Sequence, residues 1–158
     1  MFIAAEIRMY KLLLALSIFS VNVVEASEQL IPMVKYDAQT FYVNVTIADQ
    51  LTEEFVIDTG ASHVTISDAT IKNLLDNQQA TFVRFMTGVL ADGSTIDVPV
   101  YLVSRLKIGA NCEFKDIEVA VIKGGARCVL GLSALRYAAP FTFHVDPPQI
   151  QLSNCSAA

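Results

Sequence analysis

Asp58, Thr59 and Gly60 are the residues of this chain whose types and order best suit chemistry, and they occur in this order once. They lie between two apolar segments, 51–57 and 64–66, so one strand would deliver the aspartate onto a turn and a second would follow. A carboxylate beside a second carboxyl group shares a proton with it, because two adjacent like charges are unfavourable. Such a pair can activate water and protonate a carbonyl oxygen. With one copy, the chain would supply half of the pair.

The longer pattern around the aspartate resembles a known active-site signature. Residues 55–66 read Phe-Val-Ile-Asp-Thr-Gly-Ala-Ser-His-Val-Thr-Ile. This string is similar, at every position, to the signature of the pepsin-like and retroviral-type aspartic proteases. The likeness extends over about residues 34–153 and is greatest to the exported bacterial branch of the retroviral type. It implies an all-β fold, a closed, orthogonal β-barrel of the acid-protease type with one lobe per chain and two short helices. It also implies an aspartic endopeptidase.

The resemblance assigns roles to the residues of the motif. Asp58 would be catalytic, and one copy from each chain of a homodimer would activate the water. Thr59 and Gly60 would support the active-site loop, Thr59 by a hydrogen bond across the dimer axis and Gly60 by a sharp turn without a Cβ clash. Gly60, Ala61 and Ser62 would contact a peptide or protein substrate.

Three further segments fall where this family has characteristic structural features, and one of them, 106–109, lies where the family has its second hairpin. The hairpin around Ala91, Asp92 and Gly93 lies where the family has the flap that covers the cleft, and these residues would contact substrate. Asp-Gly between β-rich segments is itself a hairpin signal. Leu130 and Gly131, before a short helix, lie where the family threads a strand behind the catalytic loop, and they would support that loop.

The elements that position these residues follow from the hydrophobic pattern. Short alternating runs rich in β-branched and aromatic residues predict strands. These runs are 41–47, 51–57, 64–66, 81–89, 95–103, 106–109, 114–122, 127–130, 141–145 and 149–152. Helices are predicted at 68–75, with Ser67 as the N-cap, and at 133–137. The strands near 30–34 and 149–152 are candidates for stabilising a dimer, as terminal strands do in the retroviral enzymes.

The N-terminus has the pattern of an export signal. Lys11 precedes an apolar run, 12–24, of about 13 residues, whereas a membrane-spanning helix needs about 20. Val24-Glu25-Ala26 offers a small-residue cleavage site. We therefore expect a signal peptide, or an N-terminal anchor, at 1–26 and the protease domain at 27–158. The mature protein would be periplasmic or secreted, with membrane contact only if the segment stays uncleaved.

Composition narrows the function classes. At 158 residues with formal net charge −5, the chain predicts one domain and no nucleic-acid partner. Its two histidines, His63 and His144, lack metal-ligand spacing, so neither a metal nor another cofactor is expected. Cys112, Cys128 and Cys155 allow at most one disulfide within the chain, and the sequence leaves the pairing open.

Two other readings of the chain remain open. The fold could serve as a non-catalytic, dimeric peptide-binding module in the cell envelope. The motif could also be a coincidence in an unrelated β-barrel envelope protein. The intact Asp58-Thr59-Gly60 favours the peptidase, because a binding module has no evident need for paired carboxylates.

Overall fold

A computed structural model describes residues 27–37, 39–124 and 127–155, and the expected signal segment at 1–26 lies outside these ranges. The strands are β1 (Ser27–Pro32), β2 (Val34–Lys35), β3 (Phe41–Ile47), β4 (Leu51–Ile57), β5 (Val64–Ser67), β6 (Ala80–Val89), β7 (Thr95–Ile108), β8 (Cys112–Ile122), β9 (Val129–Leu130), β10 (Phe141–Val145) and β11 (Pro148–Cys155). The helices are α1 (Asp68–Asp76) and α2 (Leu132–Leu135), and a single 3-10 turn, Arg136–Ala138, follows α2.

The main sheet closes on itself. Its strands run in the order β2-β3-β4-β9-β5-β8-β7-β6, and a further pairing of β3 with β7 joins the ends of a six-strand barrel. Strand β6 pairs with β7 beyond the barrel and forms a long hairpin with it. The predicted all-β, closed-barrel fold with two short helices is confirmed.

The barrel interior follows from the alternation of side chains along its strands. In β3, Val43, Val45 and Ile47 point inward and are almost fully buried. On the neighbouring strands Phe55 lies opposite Val43 and Leu106 lies opposite Ile47, and neither has any exposed surface. Each such side chain contributes about 1.5–3 kcal/mol relative to leaving it in water. The apolar positions of each strand therefore determine which of its two faces points into the barrel.

Helix α1 begins where the sequence predicts. The Ser67 hydroxyl oxygen accepts a hydrogen bond from the Thr70 N–H at 3.1 Å, which is the N-cap interaction. Ile71 and Leu74 are buried, whereas Leu75 is exposed. The helix thus packs one narrow stripe against the barrel and ends at Asp76, one residue after the predicted end.

Strand β7 differs from the prediction. The sequence predicts separate strands at 95–103 and 106–109, but the structure has one strand from Thr95 to Ile108. Arg105 lies in the intervening segment and pairs with Lys115 of β8, and its side chain forms ion pairs with Asp49 and with the buried carboxylate of Glu113. Residues 103–106 contain neither glycine nor proline, so no strong turn residue interrupts the strand there.

A separate three-stranded sheet holds both ends of the domain, in the order β1-β11-β10. The two strands predicted to stabilise a dimer pair with each other inside one chain, with Leu30 opposite Gln151. A disulfide joins Cys112, at the start of β8, to Cys155, at the end of β11. The remaining thiol, Cys128, is buried.

Candidate active site

Strand β4 delivers Asp58 onto an ordered loop. Phe55, three residues earlier, is fully buried in the barrel, so the end of the strand is anchored. Strand β9 runs parallel to β4, with Ile57 beside Leu130. The Asp58 N–H then donates a hydrogen bond to the Leu130 carbonyl oxygen at 3.2 Å. The backbone of Asp58 is therefore fixed by the residue predicted to support the loop.

Backbone groups of the loop also orient the Asp58 carboxylate. The Gly60 N–H donates to Asp58 Oδ1 at 2.8 Å, and the Ala61 N–H donates to the Asp58 carbonyl oxygen at 3.2 Å. A Cβ at position 60 would lie 3.1 Å from Asp58 Oδ1, closer than most Cβ contacts. A glycine at this position therefore leaves room for the carboxylate. In the single chain Asp58, Thr59 and Gly60 are all exposed.

The segment after β9 supports the loop from behind. The Leu132 N–H donates to the Ala61 carbonyl oxygen at 2.8 Å, and the Ser133 N–H donates to the Ser62 carbonyl oxygen at 3.0 Å. The Ser133 hydroxyl in turn accepts from the Val64 N–H at 2.9 Å. Three hydrogen bonds thus join two parts of the chain about 70 residues apart.

Gly131 is the point of closest approach between these two segments. A Cβ built on Gly131 would lie 2.3 Å from the His63 carbonyl oxygen and 2.8 Å from the Ala61 carbonyl oxygen. No side chain fits there while the backbone stays in place. Asp58, Thr59, Gly60, Leu130 and Gly131, separated in sequence, therefore form one compact substructure.

A cavity of 220 Å³ opens beside the loop. The loop that carries Asp58 contributes Gly60, Ala61, Ser62 and His63 to its wall. The opposite walls come from the β6–β7 hairpin and from the barrel, and are mostly apolar. They comprise Thr65, Met86, Gly88, Val89, Leu90, Ile96, Val98, Ala120, Ile122 and Val129.

These wall residues were not among the site residues predicted from the sequence, although the alternation of residues along the hairpin indicates some of them. Met86 pairs with Val98 and Gly88 pairs with Ile96, so all four lie on the same face of the hairpin. Counting alternate positions back from the Asp92-Gly93 turn would have identified that face. No local pattern marks Ala120 or Ile122, because only the parallel pairing of β5 with β8 brings them beside the loop.

The hairpin ends in a tight turn. The Leu90 N–H donates to the Ser94 carbonyl oxygen at 2.8 Å, and Gly93 has a φ of +83° that favours glycine. Asp92 accepts hydrogen bonds from the Ser94 hydroxyl at 2.6 Å and from the Ser94 N–H at 2.9 Å, and these lower the pKa of Asp92. Ala91, Asp92 and Gly93 lie beyond the wall of the cavity in the single chain, and their contact with substrate stays a prediction.

His63 lies where the loop leaves the cavity. Its Nδ1 is 3.0 Å from the Ser62 hydroxyl oxygen. A more polar depression continues from both residues toward Glu118 and Arg136. Arg84 forms an ion pair with Glu118 at 2.6 Å, and that hydrogen bond, helped by the charges of Arg84, His63 and Arg136, holds the pKa of Glu118 below its ordinary value. The outer end of the cleft is thus polar and charged.

The described residues contain no group of three or more His, Cys, Asp or Glu side chains that could hold a metal ion. In the same part of the chain, neither helix has the length and hydrophobicity needed to cross a membrane.

Comparisons with known proteins agree with this geometry. The family model described as "gag-polyprotein putative aspartyl protease" matches residues 43–137, which is more than half of the chain, and the chain belongs to that family. Family membership indicates a protease, that is, a hydrolase.

A solved structure shares the fold. The crystal structure of a retropepsin-like aspartic protease from Rickettsia conorii matches with a TM-score of 0.60 and 22% sequence identity. The match covers 85% of this chain and 96% of that chain. Together with the family model, it confirms the predicted retropepsin-like aspartic protease family and fold. No curated protein matches the chain.

Proposed function

We propose that the protein is an aspartic endopeptidase that acts as a homodimer, with one Asp58 from each chain. One observation carries the proposal. The Asp58 carboxylate is exposed, yet it is held by the Gly60 N–H on a loop fixed from behind by Leu130. Among the described residues, no hydrogen bond joins Asp58 to a second carboxyl group. A second chain would supply the missing partner.

The mechanism follows from the chemistry of two adjacent carboxyl groups. Placed close together, the two Asp58 side chains share one proton, because both cannot be ionised at little cost. The ionised carboxylate removes a proton from water, and the resulting hydroxide attacks the carbonyl carbon of the peptide bond. The protonated carboxyl group donates to the carbonyl oxygen. Collapse of the tetrahedral intermediate, with a proton delivered to the nitrogen, releases the amine.

The substrate is an extended peptide with an apolar side chain near the cleaved bond. The apolar walls formed by Met86, Ile96, Val98 and Ile122 suit such a side chain. The β6–β7 hairpin would lie over the peptide and make main-chain contacts of the β type. Ala91, Asp92 and Gly93 would reach the substrate once a second chain completes the cleft.

We further propose that the protein works outside the cytoplasm. The disulfide between Cys112 and Cys155 favours an oxidising compartment such as the periplasm or the exterior. Removal of residues 1–26 would release the domain, and retention of that segment would anchor it to the membrane. Mass spectrometry of the mature N-terminus would distinguish the two cases.

The test of the activity is cleavage of a diverse peptide library by residues 27–158 and by Asp58→Asn, from pH 4 to 8 and over a range of protein concentrations. We expect cleavage that disappears in the variant and whose specific rate rises with concentration. Asp76→Asn is the matched control, because it changes an exposed aspartate at the end of α1. Equal cleavage by wild type and Asp58→Asn would contradict the proposal, and a folded dimer that cleaves nothing would favour the binding module.

A further inference from the structure

The three-stranded sheet β1-β11-β10 has two outer strands, β1 and β10. Within residues 27–37, 39–124 and 127–155, neither strand pairs on its outer side. An unpaired strand edge presents a row of N–H and C=O groups that can pair with another chain. The two edges differ in how well they are protected against such pairing.

The backbone groups of β10 that point outward can be identified. The Ser153 N–H donates to the Pro140 carbonyl oxygen at 3.1 Å, one position before the first pair of β10 with β11. Residues of an antiparallel pair alternate between bonding to the neighbour and bonding away from it. Thr142 and His144 therefore bond to β11, and Phe141, Phe143 and Val145 point their backbone groups outward.

The outer edge of β1 is protected. By the same alternation, the outward residues of β1 are Glu28, Leu30 and Pro32, because the Met33 N–H bonds to the Pro148 carbonyl oxygen at 2.9 Å. Pro32 has no N–H, Glu28 carries a charge, and the register shifts between Ser27 and Gln29. Proline, charge and bulges are the usual means of blocking an edge.

The outer edge of β10 has none of these protections. Residues 141–145 read Phe-Thr-Phe-His-Val, without proline, acidic residue or lysine, and their register with β11 is regular. The side chains of Phe143 and Val145 are 38% and 57% exposed. Aromatic and β-branched residues favour strand pairing, so this edge is suited to accept a further strand.

Strand β10 contacts β3, which pairs with the strand that leads to Asp58. The ring of Phe143 packs edge-on against the ring of Phe41, with the centroids 4.9 Å apart. Phe41 begins β3, and its neighbour Tyr42 pairs with Val56, two residues before Asp58. One ring contact and one strand pairing thus connect β10 with the segment that carries the aspartate.

We propose that β10 of one chain pairs antiparallel with β10 of a second copy, about a two-fold axis at Phe143. Phe143 would face its own counterpart, and Phe141 would face Val145, so every outward residue gains a partner. Two three-stranded sheets would join into one of six strands, with each chain keeping β1 and β11 paired internally. The proposal rests on the proposed function, because the second copy completes the pair of Asp58 carboxyl groups.

Disulfide cross-linking in the full chain tests the register. Opposed residues of an antiparallel hydrogen-bonded pair have Cα atoms about 5.5 Å apart, within the range of a disulfide. We expect Phe143→Cys to form a cross-linked dimer under mild oxidation. Val145→Cys is the control on the same strand, since its counterpart would lie about 13 Å away along the sheet. Leu30→Cys is the control on the opposite edge. Cross-linking through Leu30→Cys and not through Phe143→Cys would overturn the proposal.

A proline substitution tests the edge without relying on a cross-link. Val145→Pro removes one outward N–H and leaves the bonds of β10 to β11 intact, whereas Val145→Thr keeps that N–H. We expect Val145→Pro to raise the dimer dissociation constant about tenfold or more, because the bond is lost at two symmetric positions. Sedimentation velocity measures this constant, and circular dichroism checks the fold. An unchanged constant for folded Val145→Pro would overturn the proposal.

The activity assay separates this proposal from the proposed function. Cleavage by Val145→Pro should fall at low protein concentration and recover at high concentration. A dimer that cross-links through Phe143→Cys but cleaves no peptide would support the β10 interface and contradict the peptidase. An active dimer that forms no cross-link through Phe143→Cys and is not weakened by Val145→Pro would support the peptidase and contradict the interface.

Discussion

Gly131 is the residue that lets two distant segments meet behind the aspartate. We predict that Gly131→Ala destabilises the protein by about 1–3 kcal/mol, because a Cβ 2.3 Å from the His63 carbonyl oxygen forces the backbone to move. The same movement would displace Asp58, so activity should fall even where the variant is folded. Thermal unfolding and peptide cleavage measure the two effects.

The control for this substitution is Gly88→Ala. A Cβ at position 88 would find its nearest atoms in Ile96, at 3.6 Å or beyond, which is ordinary packing. Its melting temperature should stay close to that of the wild type, although its position in the cleft makes it unsuitable as an activity control. Gly131→Ala with wild-type stability and activity would show that the loop tolerates the displacement.

Cys128 is a buried free thiol that forms a hydrogen bond with a carboxylate. Its Sγ donates to Glu53 Oε2 at 2.9 Å, and Thr70 Oγ1 also donates to that carboxylate. Burial, followed by the hydrogen bond and charge of Glu53, raises the pKa of Cys128 to about 12. The thiol therefore stays neutral and is a poor nucleophile in the folded protein.

The raised pKa of Cys128 predicts that the free energy of unfolding depends on pH. Because the thiol ionises more readily in the unfolded chain, its contribution to stability is complete below the ordinary pKa of about 9 and is lost as the pH rises toward about 12. Denaturant unfolding of wild type and Cys128→Ala from pH 8 to 11 should give free energies of unfolding whose difference changes with pH. A constant difference would contradict the burial of a neutral thiol. In the native protein at pH 8, Cys128 should also react slowly with iodoacetamide.

At the scale of elements, the disulfide joins the small sheet to the barrel. Cys112 and Cys155 are 43 residues apart in sequence, and closing a loop of this length stabilises a protein by about 4 kcal/mol through the entropy of the unfolded chain. We predict that Cys112→Ser combined with Cys155→Ser lowers the free energy of unfolding by roughly this amount. Thermal unfolding with and without reductant provides the measurement.

Reductant supplies the internal control for the disulfide. It should lower the melting temperature of the wild type to about that of the double variant, and should leave the double variant unchanged. A wild type that is insensitive to reductant under unfolding conditions would show that the bridge contributes little.

At the scale of the whole molecule, one chain carries one Asp-Thr-Gly motif and an open cleft. If two chains share the reaction, mixing wild type with Asp58→Asn should lower activity, because mixed dimers contain a single carboxyl group. The activity should fall roughly in proportion to the wild-type share of all chains, whereas a monomeric enzyme would be unaffected. Titrating the variant into a fixed amount of wild type, after time for exchange, makes this measurement. Asp76→Asn added in the same way should cause no loss.

The sequence by itself determined the local parts of this protein. The alternation of apolar residues predicted most strands, Ser67 predicted the start of α1, and Asp92-Gly93 predicted the hairpin turn. The segment around Asp58 predicted both the family and the fold. These features depend on residues close together in the chain, so a linear pattern contains the information.

The tertiary structure decided what distant segments do together. It showed that Cys112 bonds to Cys155, that β7 continues through a predicted break at Arg105, and that the terminal strands pair within one chain. It also placed Gly131 against the loop that carries Asp58 and Ile122 in the wall of the cleft. These contacts depend on how the barrel closes and on how the small sheet pairs, because both bring together residues that are far apart in sequence.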